Sequence, residues 1–237
     1  MAAAADSPSA KDALKMPAVV LVSGGLDSAV CLAEAVLEFD VALLHINYGQ
    51  RTEERELQAF HDLGDHYGIS RRLVADISYL REIGGSSLVD EAMEVETGLP
   101  TGEGKVPSTY VPFRNAHILC VGVSWAEVIG ATALFIGAVE EDGSGYPDCR
   151  EEFYRLFGAA VTAGTKPDTD ITIRTPLIEL DKAAIVKRGV DLGVPLHLTW
   201  SCYTDSIEAC GVCESCRLRL RGFDVAGMED PIPYRRT

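Results

Sequence analysis

Two short stretches of the chain carry residue types and spacings suited to chemistry. The first is Ser23-Gly24-Gly25-Leu26-Asp27-Ser28. It closes a β-branched apolar run at 18–23 and opens a helix-like stretch. Its glycines allow a tight turn and let a phosphate approach the backbone. The helix start adds unpaired N–H groups and a positive dipole end. The Ser23 and Ser28 hydroxyls are further donors. The run is not a Walker loop, which needs GxxxxGK[ST], nor is it GxGxxG. A glycine pair alone would read as an ordinary strand-to-helix turn. The whole run, directly after a buried strand, reads as a phosphate site.

The second stretch is Cys202, Cys210, Cys213 and Cys216, spaced C-x7-C-x2-C-x2-C. Four thiolates suit tetrahedral zinc, and the C-x2-C turns aim two sulfurs at one point. Gly211 sits where a sharp turn helps. Such a site has no open position, so the expected role is structural. Iron–sulfur ligation is the alternative. No Cys-Pro follows, however. Of the other cysteines, Cys31 and Cys120 fall on apolar faces of predicted helices and are expected in the core. Cys149 lies in a polar loop, where a nucleophilic and a structural role both stand. The chain has seven cysteines, and its start, MAAAADSPSAKDALKMP, lacks the basic and apolar regions of a signal peptide. Clustered cysteines without a secretion signal favour metal over disulfides and a cytoplasmic setting.

The elements that must hold these residues follow from the rest of the pattern. A length of 237 residues suits one large domain, or one domain with a small appendage. Lys plus Arg is 21 and Asp plus Glu is 36, a net charge of −15. That balance works against nonspecific binding to nucleic acid or anionic membranes. No apolar run reaches 18 residues, so no membrane span is expected. Short apolar runs at 18–23, 41–46, 73–77, 134–138 and 171–178 read as buried strands. Helical stretches read at 28–38, 52–67, 116–129, 151–163 and 181–192, with Asp181 near an N-cap and Thr52 opening an acidic first turn. The alternation predicts a doubly wound, mostly parallel α/β sheet. The segment 78–110, rich in Gly, Ser, Glu and Pro, reads as a long functional loop or lid. The expected division is a flexible tail over 1–17, an α/β domain over 18–200 and a metal-binding segment over 201–237.

SGGLDS resembles the PP-loop of the ATP pyrophosphatase (adenine nucleotide α-hydrolase) superfamily, which cleaves ATP between the α and β phosphates. Further motifs narrow the resemblance: NYGQR at 47–51, TYVPFRN at 109–115, SGYPDCREEF at 144–153 and PLIELDKAAIV at 176–186. LTWSCY at 198–203, CGVCESCRLRLRGF at 210–223 and EDPIPY at 229–234 complete the set. In this order, over about 18–234, they resemble the 7-cyano-7-deazaguanine synthase family of queuosine precursor biosynthesis. The resemblance implies an ATP-dependent ligase that turns 7-carboxy-7-deazaguanine and ammonia into 7-cyano-7-deazaguanine through an adenylated acid and an adenylated amide. It implies an ATP-binding stretch of Val22, Ser23, Gly24, Gly25, Leu26, Asp27, Ser28, Ala29, Val30, Cys31 and Leu32, joined by Tyr48 and Gln50. Asp27 would hold magnesium or pyrophosphate, with helix capping as its other reading. Ser23, Asp27, Ser28, Arg114 and Asp148 are the expected catalytic set. Tyr110, Arg114, Asn115, Tyr146 and Asp148 are expected to contact the substrate. Asp148 would accept from the guanine-like N–H edge, and Arg114 would pair with a carboxylate or phosphate. The four clustered cysteines match the family's zinc ligands, and the resemblance implies a homodimer.

Two stretches depart from the expected pattern, VEEDG at 139–143 and the acidic lid at 86–105. Lys187, Arg188 and the terminal RLRLRG and RR are basic spots that read as solvated faces. The competing readings are another PP-loop enzyme, such as a tRNA thiolase or an amidating synthetase, a relative that uses a different amine, and a zinc-ribbon binding module. A thiolase would want catalytic cysteine pairs and an RNA-binding extension. A ribbon alone needs no α/β sheet.

Overall fold

The structure is a computed structural model that describes residues 15–97, 106–140 and 145–235. Five strands, β1 (Pro17–Leu21), β2 (Asp40–Asn47), β3 (Arg72–Asp76), β4 (Ala133–Ile136) and β5 (Thr172–Arg174), make one sheet ordered β3-β2-β1-β4-β5. Every pairing is parallel, with Ala18 facing Val41 on one side and Ala133 on the other. Parallel strands need both faces covered, which explains why β1 and β4 are apolar almost throughout.

Among the described residues seven α-helices supply the cover: α1 (Leu26–Glu38), α2 (Glu53–His66), α3 (Tyr79–Ile83), α4 (Arg114–Ile129), α5 (Glu151–Gly164), α6 (Lys182–Asp191) and α7 (Glu214–Ala226). Alternate strand residues face opposite layers. Ala18, Val20, Leu43 and Phe135 pack with Leu32, Phe60, Ile185 and Phe223 of α1, α2, α6 and α7. Val19, Leu21, Leu44 and Leu134 pack with Leu80, Leu119 and Tyr154 of α3, α4 and α5. The sheet is doubly wound, as the alternation predicts. The chain runs outward from β1 to β3 and then returns to β4. The order therefore reverses between β1 and β4, and a crevice opens beyond their carboxyl ends.

The structure departs from the sequence reading in several places. The segment 78–110 is not one open loop. It begins with α3, and Ser86, Ser87, Leu88 and Val89 are buried. Arg51 ties it down through the carbonyls of Ser87, Asp90 and Met93, at 2.8, 2.9 and 2.6 Å. The strand expected over 171–178 pairs only at 172–174, before Pro176 and a turn closed by Ile178 N–H on the Thr175 carbonyl. The last 35 residues contain a full helix, α7. Its RLRLRG run reads as alternating and basic, yet Arg219 is 1% exposed. The guanidinium pairs with Asp230 at 2.7 and 2.9 Å and donates to Thr199 Oγ1 at 2.7 Å. The helix α7 packs on α6, and its Phe223 enters the main core. Cys31 is buried as expected, whereas Cys120 is exposed on the outer side of α4. Asp181 caps α6, accepting from Ala184 N–H at 2.7 Å. Thr52 caps α2 by position only, because its hydroxyl donates to Glu56 instead. Residues 1–14 of the expected tail, 98–105 of the acidic lid and 141–143 of VEEDG lie outside the described residues.

Candidate active site and metal centre

The phosphate loop is wedged between α2, β4 and the segment before the cysteines. Gly24 has φ +86°, and a Cβ there would lie 2.7 Å from the Glu56 carbonyl oxygen. Its own carbonyl accepts from Trp200 N–H at 2.8 Å. Gly137 follows β4 so closely that a Cβ would meet the Asp27 carbonyl at 2.8 Å. Only residues without side chains fit both approaches. Gly25 is the N-cap of α1 and no side chain caps it, so the helix start presents N–H groups to the crevice. Ser28 Oγ donates to the Gly25 carbonyl at 3.0 Å, and Ser23 Oγ lies 3.2 Å from Ser28 Oγ. Asp27 is not a cap. Both of its oxygens accept from Lys182 Nζ at 2.9 Å.

A cavity of about 300 Å³ lies over this loop. Of the residues expected from sequence, Val22, Ser23, Gly25, Leu26, Asp27, Ser28, Tyr48, Arg114, Asn115 and Tyr146 line it. Ala29, Val30, Cys31 and Leu32 lie beneath it in the core. Gln50, Tyr110 and Asp148 stand one layer back. Gln50 accepts from Tyr48 N–H at 2.9 Å and donates to Glu56 at 3.2 Å. Tyr110 accepts from Phe113 N–H at 2.9 Å, and its ring lies 5.6 Å from that of Tyr146. Asp148 accepts from Asn115 N–H through Oδ2 and from Asn115 Nδ2 through its carbonyl, both at 2.9 Å, and so holds the start of α4.

Sequence reasoning missed several polar and charged lining residues, Glu56, Lys182 and Glu214 among them. Lys182 and Glu214 lay inside quoted motifs, directly after the Asp181 cap and the Cys213 ligand. Burial pushes the Glu56 carboxyl up to about 7, against hydrogen bonds from Thr52 and Gln50. Arg114 donates to the Tyr48 hydroxyl at 3.2 Å and lies over that ring at 5.2 Å. Cys149 also lines the cavity, but burial pushes its thiol up to about 11. A neutral thiol is a poor nucleophile, which favours the structural reading of Cys149.

The Sγ atoms of Cys202, Cys210, Cys213 and Cys216 lie within 4.8 Å of one another, with Cys210 and Cys216 at 3.9 Å. A tetrahedral zinc with bonds of about 2.3 Å separates its sulfurs by about 3.8 Å, so the tetrad fits one ion. An iron–sulfur cube, which interposes several atoms, would spread the sulfurs wider. Four backbone N–H groups point at sulfur. Those of Thr204 and Cys210 reach Cys202 at 3.5 and 3.4 Å, and those of Val212 and Cys213 reach Cys210 at 3.5 and 3.3 Å. Such donors favour thiolates over thiols. Trp200, Ala209 and Ile232 pack around the tetrad.

Comparison with known proteins bears directly on this site. The family model for the queuosine biosynthesis protein QueC matches residues 17–227. The 7-cyano-7-deazaguanine synthase of Chlorobium phaeobacteroides is 55% identical over 222 residues, covering 93% of this chain and 98% of that protein. The enzyme of the same name from Chloroherpeton thalassium is 56% identical over 221 residues, covering 93% and 97%. Among solved structures, an NMN synthetase from Francisella tularensis matches with a TM-score of 0.44 at 18% identity, over 77% of this chain and 63% of that one, too loosely to bear on chemistry. The phosphate loop and the cysteine tetrad both fall inside the matched span, and the chain belongs to the QueC family of queuosine biosynthesis proteins.

Proposed function

We propose that the protein is a 7-cyano-7-deazaguanine synthase, an ATP-dependent carbon–nitrogen ligase acting on 7-carboxy-7-deazaguanine and ammonia. The observation that carries this reading is one cavity at the switch point, lined by a phosphate loop and Arg114, in a chain of the QueC family. Forming a nitrile from a carboxylate removes two oxygens, and each must become a leaving group. The substrate carboxylate attacks the α-phosphate of ATP and expels pyrophosphate. Ammonia displaces AMP to give the amide. The amide oxygen is then adenylated by a second ATP, and loss of AMP and a proton leaves the nitrile.

The residues divide this work by position. The α1 N-terminus, Ser23 and Ser28 cradle the phosphates, and Lys182 adds positive charge beside them. Arg114 neutralises a carboxylate or phosphate, because its guanidinium stays charged at any working pH. Asp148 acts through Asn115, which it orients. Tyr48 and the strand end at 47–50 receive the adenine. Asp27, an oxygen donor at the loop, would hold magnesium, which neutralises phosphate charge. The tetrad would hold zinc, which braces Tyr203 and Glu214 against the cavity. Free ammonia is the nitrogen donor, and the enzyme works as a cytoplasmic homodimer without nucleic acid. None of the seven cysteines is in a disulfide, which agrees with a reducing compartment. Among the described residues, no helix is long and apolar enough to cross a membrane.

The test incubates the protein with ATP, magnesium, ammonium and 7-carboxy-7-deazaguanine. The expected outcome is the nitrile by mass, with AMP and pyrophosphate by phosphorus NMR. ADP with inorganic phosphate would overturn the mechanism, and a product bearing another amine would overturn the choice of nitrogen donor.

A further inference from the structure

Glu214 opens α7 and lines the cavity, yet it is only 5% exposed. One carboxylate oxygen, Oε2, accepts from Thr109 Oγ1 at 3.0 Å, and Thr109 accepts in turn from the Tyr146 hydroxyl at 2.7 Å. The other oxygen, Oε1, is buried and has no hydrogen-bond partner among the described residues. A buried carboxylate oxygen without a donor is costly unless a ligand supplies one. The Tyr146 and Tyr203 hydroxyls lie within electrostatic reach of both Glu214 and Arg114, and all four residues line the same cavity. Asp148, by contrast, spends its Oδ2 and its carbonyl on Asn115 and stands outside the cavity lining.

We infer that Glu214 is the specificity residue for the base, its carboxylate accepting the adjacent N–H and amino donors of a 2-amino-4-oxo pyrimidine edge. This inference rests on the function proposed above and deepens it. Oε1 takes one donor, and Oε2, with a second lone pair beside the Thr109 bond, takes the other. The base then lies against Tyr146 and Tyr203 with its carboxyl group toward Arg114. An adenine ring in the same slot would turn its N1 lone pair toward the carboxylate, so the site admits the acceptor base and rejects the nucleotide's own.

The experiment compares 7-carboxy-7-deazaguanine with the analogue lacking the 2-amino group, in wild-type protein and in Glu214→Gln, following pyrophosphate release. Wild type should prefer the full base by about 10- to 100-fold in kcat/KM, the effect of one charge-assisted hydrogen bond. In Glu214→Gln the preference should shrink to a few-fold, through KM for the base and with KM for ATP unchanged. Zinc content and melting temperature report whether the variant folds. Should it not, Glu214→Asp, which keeps the charge but withdraws it, should show the same loss of preference. A preference unchanged in a folded variant overturns the inference and leaves the proposed function standing. Wild-type protein that turns over neither base overturns the proposed function first, and this inference falls with it.

Discussion

Gly137→Ala tests whether the phosphate loop is held in place by backbone contact with the sheet. A methyl group at Gly137 would lie 2.8 Å from the Asp27 carbonyl carbon and oxygen and 2.9 Å from the Ser28 nitrogen. Carbon contacts reach their optimum near 3.5 Å, so the loop must retreat by about 0.7 Å. The obstructing atoms are backbone and cannot rotate aside. Overpacking of this kind costs about 1–3 kcal/mol. For a chain of this size each kcal/mol lowers Tm by roughly 2–4 °C, which predicts a fall of about 2–12 °C. A misplacement of about 1 Å at a reacting centre costs about 100-fold, so kcat/KM for pyrophosphate release should fall by about 10- to 100-fold. The control is Gly158→Ala within α5, where a Cβ meets nothing within 4 Å. That change should add about 0.5–1 kcal/mol and leave activity intact. Gly137→Ala protein with parental rate and Tm would refute the argument. A lowered Tm with a parental rate would leave only the packing half of it.

Three further outcomes are expected. Purified protein should carry about one zinc per chain, and Cys216→Ser should lose it together with activity, since tetrathiolate binding supplies on the order of 10 kcal/mol; iron with acid-labile sulfide in the metal analysis would defeat the zinc assignment. Glu56 has a folded pKa of about 7, above its ordinary 4.5, so the folded state binds the extra proton and Glu56 costs stability as pH rises from about 4.5 through about 7. Urea titrations over that range should show Glu56→Gln gaining on wild type as pH increases, and parallel curves would contradict the burial argument. Asp230→Ala strands the buried Arg219 guanidinium and should cost about 3–5 kcal/mol in urea melts, with Arg219→Met on top recovering part of it; a loss below about 1 kcal/mol would mean the pair is not anchoring α7.

The sequence by itself determined what is written within a few consecutive residues. SGGLDS declares its chemistry locally, because a strand, a glycine turn and a helix start must be contiguous to present N–H groups to a phosphate. The tetrad is legible for the same reason, since three of its cysteines span seven residues. Strand-helix alternation was enough for the layered sheet, because buried parallel strands are apolar on both faces. What the tertiary structure decided is which distant side chains share the cavity. Lys182 reaches Asp27 across 155 positions, and Thr109 reaches Glu214 across 105. No local pattern marks such pairs, and nothing in the order of residues shows that Asp148 serves Asn115 while Glu214 faces the cavity. The helix α7 escaped notice because its core stripe includes Arg219, which counts as polar until Asp230 neutralises it and Thr199 accepts from it in three dimensions. Spacing reports the groups that neighbouring residues can present together, whereas burial and partnership depend on how the sheet brings remote segments into contact.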